Sequence, residues 1–339
     1  MLNRKGGARS VRLTLAVLAS VAAGAAVTTG EASAATKTSD LTGVSITFGD
    51  QLKEYQTIVN ATDTLQGAAY TVNWSNFIGG PPIIAAEVGG SVDVGDMAET
   101  PTIFSQAAGD AVKVIGVTEG VGTNSPFAVM VPNNSPIQSA SQLRGKTIAV
   151  QEGTVEQYVL VKVLQAAGIP YNDVTIDNLS IVAGETALTS GKVDAWVSAE
   201  PLSGLVEYNK QGKVLPTAAN SAKLFGYLTA PVSALDDPKK KAAIVDFVTR
   251  LEKSQAILKK DPALAAKTYA STYGVPLAVA EQAVKSANVV PTPVTPSIIA
   301  YQQEEANTFY KLGLIPDKIH VASVFDSAVN NEILAAVTK

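Results

Sequence analysis

Short apolar runs rich in valine and isoleucine alternate with longer stretches of helical periodicity from residue 44 onward. The predicted strands are 44–48, 70–74, 92–94, 112–117, 147–150, 174–179 and 195–198. The predicted helices between them are 52–66, 82–88, 101–108, 155–167 and 186–190, and several are followed by a glycine that favours helix termination. This alternation is typical of α/β folds with mainly parallel sheets.

A short motif occurs twice along the chain. Gly-Gly-Ser-Val-Asp-Val-Gly at 89–95 has a counterpart in Ser-Gly-Lys-Val-Asp-Ala-Trp at 190–196. Each copy ends a predicted helix and leads through a short turn into a buried strand. Ordinary helix-to-strand connections would explain the likeness, but two similar lobes would produce the same echo.

Two apolar segments bounded or interrupted by proline, 126–132 and 227–232, are candidates for crossovers between lobes. They divide the chain into lobe I, residues 35–131 and 231–339, and lobe II, residues 132–230. We therefore predict an α/β fold of two lobes, each a mainly parallel sheet flanked by helices, joined by a hinge of two crossovers.

The chain beyond residue 235 is predicted to be helical, because prolines stand where first helical turns would begin. These prolines are Pro238, Pro262, Pro276 and Pro296. We expect this region to cover lobe I and to reach back across the cleft.

The first 34 residues have the pattern of a secretory signal peptide. Arg4 and Lys5 precede an apolar stretch at 13–27, and Ala32-Ser33-Ala34 matches a small-residue cleavage site. The apolar stretch is shorter than the roughly 20 residues that a spanning helix needs. We predict cleavage after Ala34 and a periplasmic protein, and since the chain has no cysteine we expect no thioether-linked lipid anchor.

Composition narrows the possible functions. The chain has a formal net charge of −4, and residues 35–339 carry 22 Lys plus Arg against 29 Asp plus Glu. The basic residues are scattered, which argues against a nucleic-acid partner. The chain has no cysteine and one histidine, His320. This composition excludes thiol nucleophiles, most zinc sites and nearly every imidazole base. We expect His320 to be a structural residue in a surface connection and predict no metal and no cofactor.

The stretch from Ser91 to Gly109, with Val-Asp-Val-Gly, Glu-Thr-Pro and Gln-Ala-Ala-Gly in succession, carries a family resemblance. It is similar to the corresponding segment of periplasmic substrate-binding proteins of ABC importers, in the aliphatic sulfonate, nitrate and taurine-binding family. The resemblance extends over about 44–210, through Gly-Gly-Pro-Pro at 79–82 and Gln-Leu-Arg-Gly-Lys-Thr-Ile-Ala-Val at 142–150. It implies a type II fold with the ligand in a cleft between two lobes.

Glu99 and Thr100 stand at a predicted strand-to-helix turn, where free backbone N–H groups could hold an anionic group. The alternative is that both residues only cap the helix. In the second lobe, Gly153, Thr154 and Gln157 form the equivalent turn. Capping alone would explain this Thr-x-x-Gln pattern too, whereas the resemblance implies that the turn grips ligand oxygens.

Two further strand ends supply candidate ligand contacts. Gly79 and Gly80 follow the second strand and could expose N–H groups beside Phe77, although a tight turn with a core phenylalanine is the alternative. Asp50 and Gln51 follow the first strand, where the resemblance implies a group facing the ligand.

The chain departs from the family after the strand at 195–198, where members often continue into Trp-Asp-Pro. Here Ser198-Ala199-Glu200-Pro201 follows, so an aromatic wall is absent, and we include Ser198 and Glu200 among the candidate ligand residues. Carboxylates at four predicted strand ends favour a zwitterion carrying an amine, or a larger or neutral molecule, over a purely anionic ligand.

We therefore expect a non-enzymatic, monomeric solute-binding protein that captures a small oxyanionic or zwitterionic molecule and delivers it to the membrane permease subunits of an ABC importer. Two alternatives remain. An enzyme of this fold would have to rely on cleft carboxylates, and a sensor domain would use the same cleft to present ligand to a receptor.

Overall fold

The computed structural model describes residues 40–121, 125–217, 222–286 and 289–338. The predicted signal peptide, residues 1–34, lies outside these residues. The described residues belong to one compact unit. Among them, no helix combines the length and the apolar character needed to cross a lipid bilayer.

The described strands and helices follow the predicted alternation. The strands are β1 (Ser45–Gln51), β2 (Thr71–Phe77), β3 (Val94–Ala98), β4 (Val112–Gly120), β5 (Phe127–Pro132), β6 (Thr147–Ala149), β7 (Thr175–Asp177), β8 (Ala195–Ala199), β9 (Gly212–Val214), β10 (Phe225–Pro231) and β11 (Val289–Pro291). The helices are α1 (Glu54–Thr62), α2 (Gly80–Val88), α3 (Thr100–Ala108), α4 (Val155–Ala166), α5 (Ile181–Thr189), α6 (Leu202–Tyr208), α7 (Val232–Leu235), α8 (Pro238–Lys260), α9 (Pro262–Tyr273), α10 (Leu277–Ser286), α11 (Pro296–Lys311) and α12 (Ser327–Val337).

These strands form two separate sheets. The first has the order β11-β4-β10-β3-β1-β2, and the second has the order β7-β6-β8-β5-β9. Most strands within each sheet run in one direction, as expected, but β10 is antiparallel to β3 and β4, and β5 is antiparallel to β8 and β9. Strand β11 is likewise antiparallel to β4, so both sheets are mixed rather than purely parallel.

The crossovers lie before the segments that the sequence suggested. Residues 127–131 belong to the second sheet through β5, although they were expected in lobe I. Residues 225–230 belong to the first sheet through β10, although they were expected in lobe II. Both segments are apolar because they are buried central strands, so the connections between the sheets precede them.

The repeated Val-Asp motif makes the same contacts in both sheets. Asp93 Oδ2 accepts a hydrogen bond from the Thr47 N–H at 2.9 Å, and Asp194 Oδ2 accepts one from the Thr147 N–H at 2.9 Å. The N–H of each aspartate donates back to the carbonyl of the same threonine. Each copy thereby fixes the start of one parallel strand against its neighbour.

The helices after residue 235 begin at the predicted positions. Asp237 caps α8 by accepting from the N–H groups of Lys239 and Lys240, and Asp261 caps α9 by accepting from Leu264 N–H. Proline is tolerated at these starts because its missing N–H would have no partner in the first helical turn. Several predicted boundaries move: for example, α1 covers Glu54–Thr62 rather than 52–66, β3 begins at Val94 rather than at 92, and α5 covers Ile181–Thr189 rather than 186–190.

Candidate functional site

A cavity of about 230 Å³ lies between the two sheets. It is lined by Gln51, Leu52, Glu54, Gly79, Gly80, Ala98, Pro101, Phe127, Gln151, Thr154, Val155, Glu156, Ile181, Val197, Ala199, Glu200, Pro201, Leu202, Leu224 and Tyr273. The volume suits a small solute rather than a drug-sized molecule. We call each sheet, together with the helices packed on it, one half of the protein. Both sheets contribute to the lining, so a molecule held here would contact both halves.

The lining is built where strands end and helices begin. Gln51 ends β1 and Ala199 ends β8, while Gly80 begins α2 and Val155 begins α4. In α/β sheets the carboxyl ends of parallel strands and the following helix N-termini form the usual ligand crevice. The topology thus brings residues from distant parts of the chain to one place.

Glycines allow the two halves to approach closely beside the cavity. A Cβ on Gly79, whose φ is +87°, would lie 2.6 Å from Gln151 Oε1 of the other half. A Cβ on Gly153 would lie 3.5 Å from Pro81 Cγ. Because a side chain at Gly79 would be both strained and obstructed, glycine is required there for this contact.

Of the residues proposed from the sequence, the structure places five in the lining: Gln51, Gly79, Gly80, Thr154 and Glu200. The Gln51 side-chain amide donates to the Asp96 carbonyl at 3.1 Å, and the Thr154 hydroxyl donates to the Gln151 carbonyl at 2.7 Å. These bonds fix the side chains at the cavity wall.

Three of the proposed residues are not among the lining residues and make other contacts: Asp50, Phe77 and Ser198. Asp50 accepts from the N–H groups of Tyr55 and Gln56 at the start of α1, and burial raises the pKa of its carboxyl to about 6. Phe77 packs against an apolar cluster, and the buried Ser198 hydroxyl donates to the Ala199 carbonyl at 3.3 Å.

Glu99 and Thr100 also lie outside the lining and face α11. The Thr100 hydroxyl donates to Glu305, and both Glu99 carboxylate oxygens are buried without a hydrogen-bond partner among the described residues. Burial and the neighbouring Glu305 raise the pKa of Glu99 well above its ordinary value, and burial raises that of Glu305. The sequence could not indicate this pair, because the two residues are 206 positions apart.

The predicted Thr-x-x-Gln capping box at the start of α4 is not formed, because the Thr154 side chain makes no capping hydrogen bond. The Gly153 N–H donates to Gln157 Oε1 at 2.8 Å, and Gln157 Nε2 donates to the Tyr171 hydroxyl at 2.9 Å. Gly153 and Gln157 are buried and lie outside the cavity lining.

Several lining residues were not proposed from the sequence. Glu54 and Glu156 occupy first helical turns directly after strand ends, so the rule that selected Gln51 and Thr154 could have found them. Tyr273 ends α9, in the helical region beyond the second crossover, and no sequence signal places it at the cavity. The described residues contain no group of three His, Cys, Asp or Glu side chains arranged to hold a metal ion.

Comparison with known proteins finds a matching family, relatives by sequence and similar solved structures. A family model described as NMT1/THI5 like matches residues 83–265. An aliphatic sulfonates-binding protein of Escherichia coli (strain K12), so named, is 30% identical over 261 residues, which cover 74% of this chain and 77% of that protein. The alkanesulfonate-binding protein SsuA from Xanthomonas axonopodis pv. citri, solved bound to MOPS, superposes with a TM-score of 0.77 at 24% identity, covering 84% of this chain and 98% of SsuA.

The same fold occurs in an enzyme. The desulfurization enzyme DSZB superposes with a TM-score of 0.64 at 14% identity, covering 86% of this chain and 99% of that protein. The architecture alone therefore does not separate binding from catalysis.

Proposed function

The chain belongs to the NMT1/THI5-like family, and we propose that it is the solute-binding component of an ABC importer, capturing a small sulfonate-like or zwitterionic solute between its two sheets. The observation that carries this proposal is the cavity, whose lining comes from strand ends and helix starts of both halves. A site divided in this way couples ligand capture to the relative position of the halves.

Export fits this role. The predicted signal peptide at 1–34 directs the protein to the periplasm, where it meets solutes before the membrane permease subunits of the importer do. We expect the monomer to be the working form.

Capture requires that the halves move about the two connections that join the sheets, one ahead of β5 and one ahead of β10. Gly79 and Gln151, which belong to different halves, lie close together in the cavity wall. A ligand that binds both halves favours the arrangement in which they touch, and the permease subunits then recognise that arrangement.

Binding is favoured over catalysis by the available chemistry. The whole chain has no cysteine, and its one histidine, His320, is exposed and is not among the residues that line the cavity. The coupled carboxyl pair of Glu99 and Glu305 is buried outside the lining. The described lining of the cavity therefore holds no thiol and no imidazole base.

The test is ligand discovery on the purified protein. Small molecules released by denaturation are identified by mass spectrometry, and thermal unfolding is followed with alkanesulfonates, taurine, nitrate and amines. A true ligand at 100 times its Kd stabilises the folded protein by about 2.7 kcal/mol. Absence of a released solute together with absence of any shift across the panel would contradict the proposal.

A matched pair of glycine variants tests the closing contact. Gly79→Ala places a Cβ against Gln151, whereas Gly90→Ala introduces an alanine at a similar φ of +73° with nothing within 4 Å. Both substitutions strain a positive-φ backbone, and the strain is greater at Gly79, whose φ of +87° and ψ of 163° form a conformation open essentially to glycine alone. Only Gly79→Ala also meets a side chain of the other half. We expect ligand affinity to fall at least tenfold in Gly79→Ala and to stay unchanged in Gly90→Ala; equal affinities would refute the role of this contact.

A further inference from the structure

The charged side chains that line the cavity are all acidic. Three carboxylates line it: Glu54 from α1, Glu156 from α4 and Glu200 after β8. Among the described residues that line the cavity there is no lysine, arginine or histidine. The six ion pairs of the described residues also lie elsewhere and include none of these three carboxylates.

Glu54 is held in place by neutral donors. The Tyr269 hydroxyl donates to its Oε1 at 2.9 Å, and the Tyr273 hydroxyl donates to its Oε2 at 2.6 Å. Tyr273 itself lines the cavity. Hydrogen bonds from two hydroxyls orient the carboxylate and favour its ionised form, but they supply no positive charge.

Glu200 retains an unused hydrogen-bonding atom. Its Oε2 is buried and has no hydrogen-bond partner among the described residues. Burial raises the pKa of Glu54, Glu156 and Glu200 alike, and no cationic side chain stands beside them in the described lining of the cavity. An uncompensated carboxylate is costly to bury, and it becomes favourable when a cation enters beside it.

We propose that the cavity recognises its solute through a protonated amine held by Glu54, Glu156 and Glu200. This inference rests on the proposed function and assigns the chemical class of its ligand. Phe127 and Tyr273 add aromatic faces that attract a cation. The side-chain amides of Gln51 and Gln151 remain for the neutral or anionic end of the same molecule.

In the opposite use, these carboxyls would be protonated and would donate hydrogen bonds to a sulfonate. The two uses differ in the sign of their pH dependence. A cation binds the ionised carboxylates, so its affinity falls as pH is lowered through their raised pKa values; an oxyanion held by protonated carboxyls would instead lose affinity as pH rises.

The surrounding titratable groups do not reverse this sign, because all of them are acidic or neutral. Glu54 is surrounded by Asp50, Asp96, Tyr269 and Tyr273, and Glu252 lies next to Asp96. Glu99 lies near Glu156, and Glu207 lies near Glu200.

The experiment compares three probes of equal chain length by calorimetry at pH 6 and pH 8: taurine with an amine and a sulfonate, ethanolamine with the amine alone, and isethionate with the sulfonate alone. We expect the amine-bearing probes to bind at least tenfold more tightly than isethionate, and more tightly at pH 8 than at pH 6. Isethionate binding as tightly as taurine, or more tightly at pH 6, would overturn the proposal.

A charge-matched pair of variants completes the test. Glu54→Gln removes one lining carboxylate, and Glu281→Gln removes one exposed carboxylate from α10. We expect amine affinity to fall at least tenfold in the first variant only, with a cooperative thermal unfolding transition showing that both are folded. Equal affinity in the two variants would remove Glu54 from the site.

Mass spectrometry of the released solute separates this inference from the proposed function. A released molecule that contains a basic nitrogen supports both. A released molecule without one overturns the amine and leaves solute binding intact, whereas no released solute and no binding of any probe would overturn both.

Discussion

Two apolar contacts between the halves of the protein differ in size and chemistry. Along α3, α4 and α11, a cluster of buried apolar residues forms what we call the seam: Ile103, Tyr158, Val161, Ala306, Phe309, Ile315 and Val321. Between α6 and α10 the contact is small and aliphatic, with Val279, Val275 and Ala280 beside Leu205. The seam has the aromatic packing of a permanent core, while the α6–α10 contact has little area to lose when the halves separate.

The difference between the two contacts indicates which of them can separate when the halves move. In the seam, Phe309 packs edge-on to Phe104 with ring centroids 5.0 Å apart and lies 5.8 Å from the Tyr158 ring. Separating such rings exposes large apolar surfaces. We expect the seam to persist in every folded state and the α6–α10 contact to form and break with ligand.

The largest effect is expected from Phe309→Ala, which removes a fully buried ring from the seam. Loss of contacts and the resulting cavity should lower the free energy of unfolding by about 3–5 kcal/mol, measured by denaturant titration. Tyr208→Ala, at a side chain 57% exposed, serves as control and should change it by less than about 0.5 kcal/mol. A loss below about 1 kcal/mol in Phe309→Ala would show that the seam is not a packed core.

An intermediate effect is expected at the polar edge of the seam, where Glu99 and Glu305 are buried together. Since burial raises the pKa of both carboxyls in the folded state, folding takes up protons. Stability is therefore greatest at acidic pH and falls as pH rises through the raised pKa values, by up to about 1.4 kcal/mol per pH unit for each carboxyl. The groups facing the pair, Glu156, Tyr158, Tyr227 and Tyr301, supply no positive charge.

Glu305→Gln should flatten this profile and stabilise the protein at alkaline pH. Thermal unfolding from pH 5 to pH 9 measures the slope, with the exposed neighbour Glu304 changed to Gln as the control. A slope identical in wild type and Glu305→Gln would mean that the pair does not govern the pH dependence.

The smallest effect on stability is expected from Val279→Ala in the α6–α10 contact. The lost methyl groups should cost about 1 kcal/mol or less, because only one small cluster is affected. If this contact forms with ligand, the variant should also weaken ligand binding several-fold, through faster dissociation in a stopped-flow measurement. Unchanged dissociation would show that the contact persists when ligand leaves.

The fold was predictable from the sequence because local signals agreed with it. Proline starts, glycine ends and the paired Val-Asp motifs each act over a few residues, and the structure uses them as such. The crossover positions were less predictable, because an apolar segment such as β5 or β10 gives no sign of which sheet it joins.

The site was predictable only in part, for a physical reason. Gln51, Thr154 and Glu200 follow strands, so topology alone brings them to the cavity. Tyr273 reaches the cavity through the tertiary packing of α9, and Glu99 lies outside the lining, buried beside Glu305 of α11. Contacts of this kind depend on where helices dock, which no short window of sequence encodes.

The second half of the molecule begins and ends at one point. The Leu215 N–H donates to the Val129 carbonyl at 2.8 Å, so the incoming β5 and the outgoing chain lie side by side. A continuous segment whose ends adjoin can be transplanted between homologous scaffolds with only two junctions. Exchange of residues 125–217 with the matching segment of a relative would create a chimaera that inherits half of each parent's cavity, and so would show which half dictates the choice of solute.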